Sequence, residues 1–307
     1  MDRIDQIKTA CPSLPLRERV PLSAYTTLRV GGEAAFFAEP KTEEDIVTLL
    51  QSAKAADIPV LVLGNGSNTL VRDGGFPGIV LHLGRDFGEI SCDGNVLTAQ
   101  AGALLSTLAK TACDNGLTGL EFAHGIPGSV GGGVYMNAGA YGGELAQAVQ
   151  SVRVWDGERI RDVGRDEMDF SYRHSAAMAH DWLILSAVFA LTPGNREEVE
   201  SVMRDLNARR REKQPLEYPS AGSFFKRPAG HFAGQLIEQS GLKGLTVGGA
   251  QVSEKHAGFL INRGGATAGD FLSIMEQVQQ TVKRDSGVQL ENEVRIVGCE
   301  PQEASEP

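Results

Sequence analysis

Three stretches carry residues able to do chemistry. Ser223 lies between Gly222 and Phe224, with Lys226 and Arg227 just downstream. A serine so placed reads either as a turn or N-cap residue, or as a proton donor beside basic groups that hold an anion. No GxSxG elbow surrounds it, which argues against a hydrolase nucleophile. Near the C-terminal end, Val288, Leu290, Val294 and Ile296 share one face of a period-two pattern, and Glu291, Glu293 and Arg295 share the other. The polar face reads as a solvated ion-pair row or as an oriented acid with its partner, and spacing leaves both open. The third stretch, Asp169–Ser175 with Tyr172, Arg173 and His174, is polar and aromatic in a region otherwise built for packing. The histidines form no HxxxH or HExxH pair, so no metal site is expected.

The element around which these residues are arranged is residues 119–143, where nine of 25 positions are glycine. Residues 125–133 place five glycines and Pro127 around Ser129, and Glu121 is the single charge in the whole stretch. Such a run reads as a tight structural turn or as a loop whose N–H groups approach an anionic ligand without intervening side chains. A second glycine loop, Gly64-Asn65-Gly66-Ser67-Asn68-Thr69, follows the apolar strand Pro59–Leu63. A Rossmann fold requires GxGxxG and then a helix, whereas here another strand, Ile79–Leu83, comes next. The reading is therefore a flat phosphate-binding loop on a mixed α+β scaffold.

Charge and composition narrow the partners. A net charge of −10 argues against nucleic acid or an anionic membrane. The four cysteines show no CxxC spacing and read as reduced thiols. The N-terminus lacks the basic and then apolar segments of a signal peptide, and no apolar run reaches the length of a membrane span, so a cytoplasmic protein is expected. No obligate protein partner is evident.

Helices are predicted over 42–56, capped by Thr42 with Glu43, Glu44 and Asp45 in its first turn. Others are predicted from Leu104 to about Gly116, from Asn195 to Arg211, over 232–240 and over 268–285, with a short one within residues 1–20. Strands are predicted for Tyr25–Gly32, Val96–Ala101, 151–155, 182–191 and Val288–Gly298. The arginine triplet 209–211 reads as a solvated helix end suited to the dipole, ahead of the alternative of an anion site, and the polar tail 299–307 as poorly ordered. Thr192-Pro193-Gly194 marks the best domain boundary. The expected organisation is a lead-in of 1–20, a first domain of 21–193, a second of 194–298 and the tail.

At this point the motifs match a family. Thr26–Gly32, Leu63–Leu70, Gly125–Gly143, Tyr172–Ser175, Lys213–Pro228, Gly241–Asn262 and Leu290–Gly298 resemble, in family order, UDP-N-acetylmuramate dehydrogenase, also called UDP-N-acetylenolpyruvoylglucosamine reductase. The compact segment between Arg173 and Lys213 resembles the family's shorter, type II branch. The resemblance implies an α+β chain: an FAD-binding fold of the vanillyl-alcohol-oxidase type, then a smaller α+β substrate domain. Non-covalent FAD would lie with its pyrophosphate on Gly64, Asn65, Gly66, Ser67, Asn68 and Thr69, and on Ile126, Pro127, Gly128 and Ser129. Asn137, Ala138 and Gly139 would also be near the cofactor.

The implied reaction uses NADPH to reduce FAD, which then reduces UDP-N-acetylglucosamine enolpyruvate to UDP-N-acetylmuramate. The family's catalytic arginine, serine and glutamate fall on Arg173, Ser223 and Glu293. Lys213, Tyr172, Lys226 and Arg227 are the candidate substrate contacts. Two positions depart from the family pattern. Tyr25 stands where asparagine is usual, and Gly133 where alanine is more frequent. Two rivals fit less well: an alcohol or hydroxy-acid oxidase of the same fold, which would lack the Arg173, Ser223 and Glu293 set, and a non-catalytic UDP-sugar sensor.

Overall fold

The computed structural model describes residues 3–301, so the tail beyond 301 lies outside the described residues. Its helices are α1 (Arg3–Ala10), α2 (Glu43–Ala55), α3 (Leu105–Asp114), α4 (Val130–Tyr135), α5 (Ala176–Ala179), α6 (Arg196–Lys213), α7 (Ala233–Gln239) and α8 (Ala268–Ser286). The chain divides into two compact units. One comprises the chain through Leu16, Ala38–Asn65 and Leu81–Arg210; the other comprises Arg17–Phe37, Gly66–Val80 and the chain from Arg211.

The first unit is built on a five-stranded antiparallel sheet. Its order is Ile160–Gly164, Val149–Trp155, Leu183–Ala190, Val96–Gln100 and Ile90–Asp93. Alternating apolar residues of these strands, including Val152, Ala187 and Phe189, face a core that α3 fills with Leu105, Leu108 and Ala112. Helix α4 adds Val130 and Val134. Elsewhere in the unit, α2 starts as its sequence directs: the Thr42 hydroxyl accepts the Asp45 N–H at 3.1 Å.

The second unit carries a four-stranded antiparallel sheet, ordered Ser220–Ser223, Phe259–Asn262, Ala250–Val252 and Thr246–Val247. Helix α8 lies against it and buries Phe271, Ile274, Val278 and Val282. At about 1.5–3 kcal/mol for each fully buried apolar side chain, this face is a principal source of the unit's stability. Both ends of α8 are closed. Thr267 and Asp270 form a capping box, and Gly287 takes φ +74° at the C-terminal end. Asp73 accepts the N–H groups of Ala268 at 2.8 Å and Gly269 at 2.9 Å. Arg17–Pro21 pairs antiparallel with Glu33–Phe37, and Thr69–Val71 pairs parallel with Arg295–Val297.

Four details differ from the sequence expectations, each for a local reason. Tyr25–Gly32 is not a strand. Leu22–Tyr25 is a 3₁₀ turn, and left-handed backbone at Arg29 (φ 57°) and Gly31 (φ 119°) breaks the extended run before Glu33. The predicted last strand is regular only over Arg295–Val297, although Leu290 and Val294 are buried and Glu291 and Arg295 exposed, as the alternation requires. Helix α4 forms inside the glycine run, where a loop was expected. A Cβ on Gly131 would lie 2.8 Å from the Ala101 Cβ, and one on Gly133 would lie 2.9 Å from a Leu105 methyl. Those glycines serve close helix packing rather than a ligand.

The fourth difference concerns the boundary. The compact units do not divide at 193/194, because α6 places Val199 and Met203 in the first unit's core. Residues 17–37 and 66–80 belong to the second unit, where Leu28, Val30 and Leu70 share a core with Phe224 and Phe271.

Candidate active site

In the first unit the two glycine loops meet. Asn65 donates from Nδ2 to the Pro127 carbonyl at 2.5 Å. A Cβ on Gly64 would overlap the Ser129 hydroxyl, so only glycine leaves that oxygen in place. Ser129 is 3 % exposed and begins α4, yet its hydroxyl caps no N–H of that helix. It is held instead by the backbone: Val130 N–H donates to Ala103 O at 2.7 Å, and Leu105 N–H to Gly128 O at 2.9 Å. Neither Gly64–Thr69 nor Ile126–Gly133 contains an acidic side chain. A buried, uncommitted hydroxyl in a carboxylate-free glycine cradle is a fit surface for the diphosphate of FAD.

Asn137 sits behind this cradle and is 1 % exposed. Its Nδ2 donates to Ser171 O at 3.1 Å, and its Oδ1 accepts the Ala146 N–H at 3.0 Å. Both ends of the amide are therefore committed to the protein, and the main chain here is bonded too: the Asn137 N–H donates to Val134 O at 3.1 Å and the Ala138 N–H to Gly133 O at 2.7 Å. The Asn137–Ser171 bond ties down the segment carrying Tyr172 and Arg173. There Ser171 and His174 bridge each other, Ser175 Oγ donates to Tyr135 O at 2.6 Å, and Arg173 takes φ 55°. Arg173 Nη2 donates to Gly139 O at 3.4 Å, and its guanidinium lies 5.1 Å from the ring centre of the exposed Tyr172. A guanidinium is a planar fork whose geometry suits a carboxylate.

The second unit holds Gly66–Thr69, Ser223 and Glu293. Gly66 has φ 59°, and a Cβ on it would overlap the Tyr25 carbonyl oxygen. Any other residue there is both strained and obstructed. Its own carbonyl accepts the Thr27 N–H at 3.2 Å, while Thr27 Oγ1 donates to Ser220 O at 2.7 Å, at the start of the strand that ends in Ser223. Glu293 is set by two bonds to its main chain. Its N–H donates to Phe224 O at 2.9 Å, and its carbonyl accepts Asn68 Nδ2 at 3.1 Å. Phe225 bridges Asn292, and Lys226 N–H donates to Glu291 O at 2.9 Å.

The residues after Ser223 thus run antiparallel to 291–293, with Phe224 opposite Glu293, so the segments that carry the serine and the glutamate adjoin. Phe224, buried and stacked on Phe271 with centroids 6.3 Å apart, anchors the serine's strand in the core. Ser223 itself is exposed and Glu293 half-buried. Of the two acids open at the sequence level, Glu291 pairs with Lys226 at 3.3 Å on the surface. Arg227 stacks on Phe232 at 4.0 Å, and Lys213 is exposed. Beside Lys213, the Gln214 Oε1 is buried with no hydrogen-bond partner among the described residues. That orphaned acceptor also marks a place for a donor from outside the protein.

Sequence reasoning placed Asn68 at the cofactor only and missed two further contributors. Asn68 stands in the glycine loop, yet its amide serves Glu293. Thr27 positions the serine's strand. Arg210 lies against Gly125, although the arginine triplet read as a solvated helix end. Only the Asn207–Arg210 spacing on α6, which puts both on one helix face, carried a signal for that last contact. Among the described residues no cluster of His, Cys, Asp or Glu is suited to a metal ion, and no helix is long and apolar enough to cross a membrane.

Comparison with known proteins assigns the chain. Residues 34–159 match the family described as FAD binding domain, and residues 214–297 match UDP-N-acetylenolpyruvoylglucosamine reductase, C-terminal domain. The UDP-N-acetylenolpyruvoylglucosamine reductase of Lactobacillus acidophilus is 49 % identical over 289 residues, covering 94 % of this chain and 96 % of the relative. That of Lactobacillus helveticus is 50 % identical over 287 residues, covering 93 % and 96 %. The crystal structure of UDP-N-acetylenolpyruvylglucosamine reductase from Thermus caldophilus superposes with a TM-score of 0.79 at 37 % identity, covering 93 % of this chain and all of that one. The chain therefore belongs to the UDP-N-acetylenolpyruvoylglucosamine reductase family, FAD-binding oxidoreductases of peptidoglycan precursor synthesis.

Proposed function

We propose that this protein reduces UDP-N-acetylglucosamine enolpyruvate to UDP-N-acetylmuramate in the cytoplasm, with NADPH as the source of reducing equivalents. Bound non-covalently, FAD would supply the hydride-transfer chemistry between NADPH and the substrate. The domain assignment is 21–193 for the cofactor and 194–298 for the substrate, with α6 packed on the cofactor side. Gly64–Thr69 and Ile126–Ser129 hold the diphosphate, and the main chain of Asn137–Gly139 lines the same cofactor.

The residues' tasks follow from the substrate. Adding hydride to the terminal carbon of an enol ether conjugated to a carboxylate develops negative charge across the other carbon and the carboxylate. Arg173 holds the carboxylate through two donors, and Glu293, acting as a protonated acid, shares in stabilising that charge. Ser223 delivers a proton to the second carbon. A serine hydroxyl is a weak acid and is matched to this task because an enolate carbon is strongly basic. Lys213, Tyr172, Lys226 and Arg227 contact the substrate's carboxylate or diphosphate.

The observation that supports the reading is the antiparallel pairing of 224–226 with 291–293, which joins the segments carrying Ser223 and Glu293, with the Glu293 N–H on the Phe224 carbonyl. Paired proton donors on adjacent strands suit an addition that ends in protonation, and an alcohol oxidase has no use for them. Stopped-flow mixing with NADPH should bleach the flavin absorbance, and enolpyruvyl-UDP-N-acetylglucosamine should restore it. Bleaching without restoration by that substrate would overturn the proposal.

A further inference from the structure

Arg210 is the last residue of the first unit and lies one turn after Asn207 on α6. A Cβ built on Gly125 would stand 3.0 Å from Arg210 Nη1, 3.1 Å from its Cδ and 2.9 Å from Asn207 Oδ1. Asn207 Nδ2 in turn meets His124 Nδ1 at 2.6 Å. Helix α6 therefore grips the pair His124-Gly125, from which the cradle Ile126–Ser129 departs.

Three other arginines of this helix have carboxylate partners, Arg196 lying 2.9 Å from Asp114. Arg204 lies 3.7 Å from Glu200, and Arg209 lies 2.8 Å from Asp205. Arg210 has no carboxylate and no hydrogen-bond acceptor among the described residues; its one charged-state neighbour is the phenol of Tyr141. Burial pushes its guanidinium below the ordinary arginine range, with Tyr141 acting weakly in the opposite sense. Arginine stays protonated regardless, so this is a half-buried positive charge with no protein counter-charge. Such a charge is costly unless something supplies the anion.

Tyr141 belongs to the hairpin that pairs Gly139–Ala140 with Gly143–Glu144, and Arg173 contacts the Gly139 carbonyl of the same hairpin. Two arginines thus flank one hairpin. One comes from the Ser171–His174 segment, the other from α6 beside Gly125.

We propose that Arg210 supplies the counter-charge for the flavin nucleotide seated on Gly125–Ser129, holding the cofactor and raising its reduction potential. The inference rests on the reading of this loop as the FAD cradle. A cation beside a flavin favours the electron-rich reduced state over the oxidised one, so its loss lowers the potential as well as the affinity.

The test uses flavin-loaded R210Q and R210K. FAD dissociation is followed by the fluorescence of released flavin, and the midpoint potential by equilibration with redox dyes. R210Q should bind FAD about tenfold or more weakly, as expected for the loss of a charge-assisted contact, and its midpoint should move to more negative potential. R210K, which keeps a charge and an apolar stem, should recover part of both.

Unchanged affinity and midpoint with a raised KM for NADPH would overturn the proposal and hand the guanidinium to the nicotinamide co-substrate. Unchanged values throughout would make Arg210 structural and also overturn it. Should R210Q fold poorly, the midpoint of R210K decides. The unaltered protein's bleaching by NADPH tests the parent reading, so the two failures appear in different samples.

Discussion

The first unit and the second solve opposite problems with the same backbone chemistry. In the first, Gly64 leaves room for the Ser129 hydroxyl and Gly125 for Asn207 and Arg210, so that main chain and one hydroxyl of a buried serine form a surface. In the second, strand register places side chains, so that Ser223 and Glu293 stand on neighbouring segments locked by the Phe224–Glu293 and Lys226–Glu291 bonds. A cradle works by what is absent, whereas a catalytic pair works by where two groups are fixed. Substitutions in the two regions should therefore fail differently: by loss of cofactor in one, and by loss of one chemical step with cofactor retained in the other.

The largest effect expected from this contrast is at the pair. Ser223→Ala and Glu293→Gln should slow flavin reoxidation by the enolpyruvyl substrate about a hundred- to ten-thousand-fold while leaving bleaching by NADPH intact. Rapid-mixing measurement of each half separates them, and an equal loss in both halves would mean that the residue is structural. Next is Gly64→Ala. Its methyl displaces the Ser129 hydroxyl, and at about 1–3 kcal/mol for overpacking, FAD affinity should fall about 5- to 150-fold. Titration of apoprotein with FAD checks this, and a protein that retains its flavin would remove Ser129 from the cradle.

Asn68→Ala tests the boundary between the two behaviours, because Asn68 lies in a glycine loop but bonds the Glu293 carbonyl. Losing about 0.5–1.5 kcal/mol should slow the substrate half-reaction about two- to tenfold. A pure loss of FAD affinity would instead assign Asn68 to the cofactor.

The smallest effect concerns a place outside both regions. Asp156 accepts the N–H groups of Arg159 at 2.9 Å and Glu158 at 3.0 Å in the turn joining two strands of the first unit's sheet. Those donors hold its carboxyl below the usual range, with Arg161 and Arg159 adding to the effect. Because the folded value is the lower one, its contribution is present above about pH 4, the unfolded value, and is lost as pH falls through the folded one. Thermal midpoints of the unaltered protein and Asp156→Asn should differ near neutral pH and converge in acid, with flavin content unaffected.

Much of this was legible from local pattern. The α2 cap, the apolar faces of α3 and α8, the central strands and the absence of a helix after Gly64–Thr69 follow from periodicity and capping chemistry, which neighbours in sequence control. The resemblance singled out Arg173, Ser223 and Glu293 as residue types in order. The misses are long-range. Gly131 and Gly133 resemble the other glycines of the run, and only the approach of Ala101 and Leu105 shows that they serve packing. Likewise, Glu291 and Glu293 are equivalent by alternation until pairing commits one to Lys226.

The sequence by itself determined that this chain is an α+β member of its reductase family, with two glycine loops and no metal motif. Those properties reside in residue type, order and local spacing. Tertiary structure decided which glycines pack against Ala101 and Leu105, that the segment of Glu293 pairs with the residues after Ser223, and that Arg210 faces Gly125 with no carboxylate partner among the described residues. Each of these depends on segments tens to hundreds of residues apart being brought within hydrogen-bonding distance, and no local periodicity encodes such a distance.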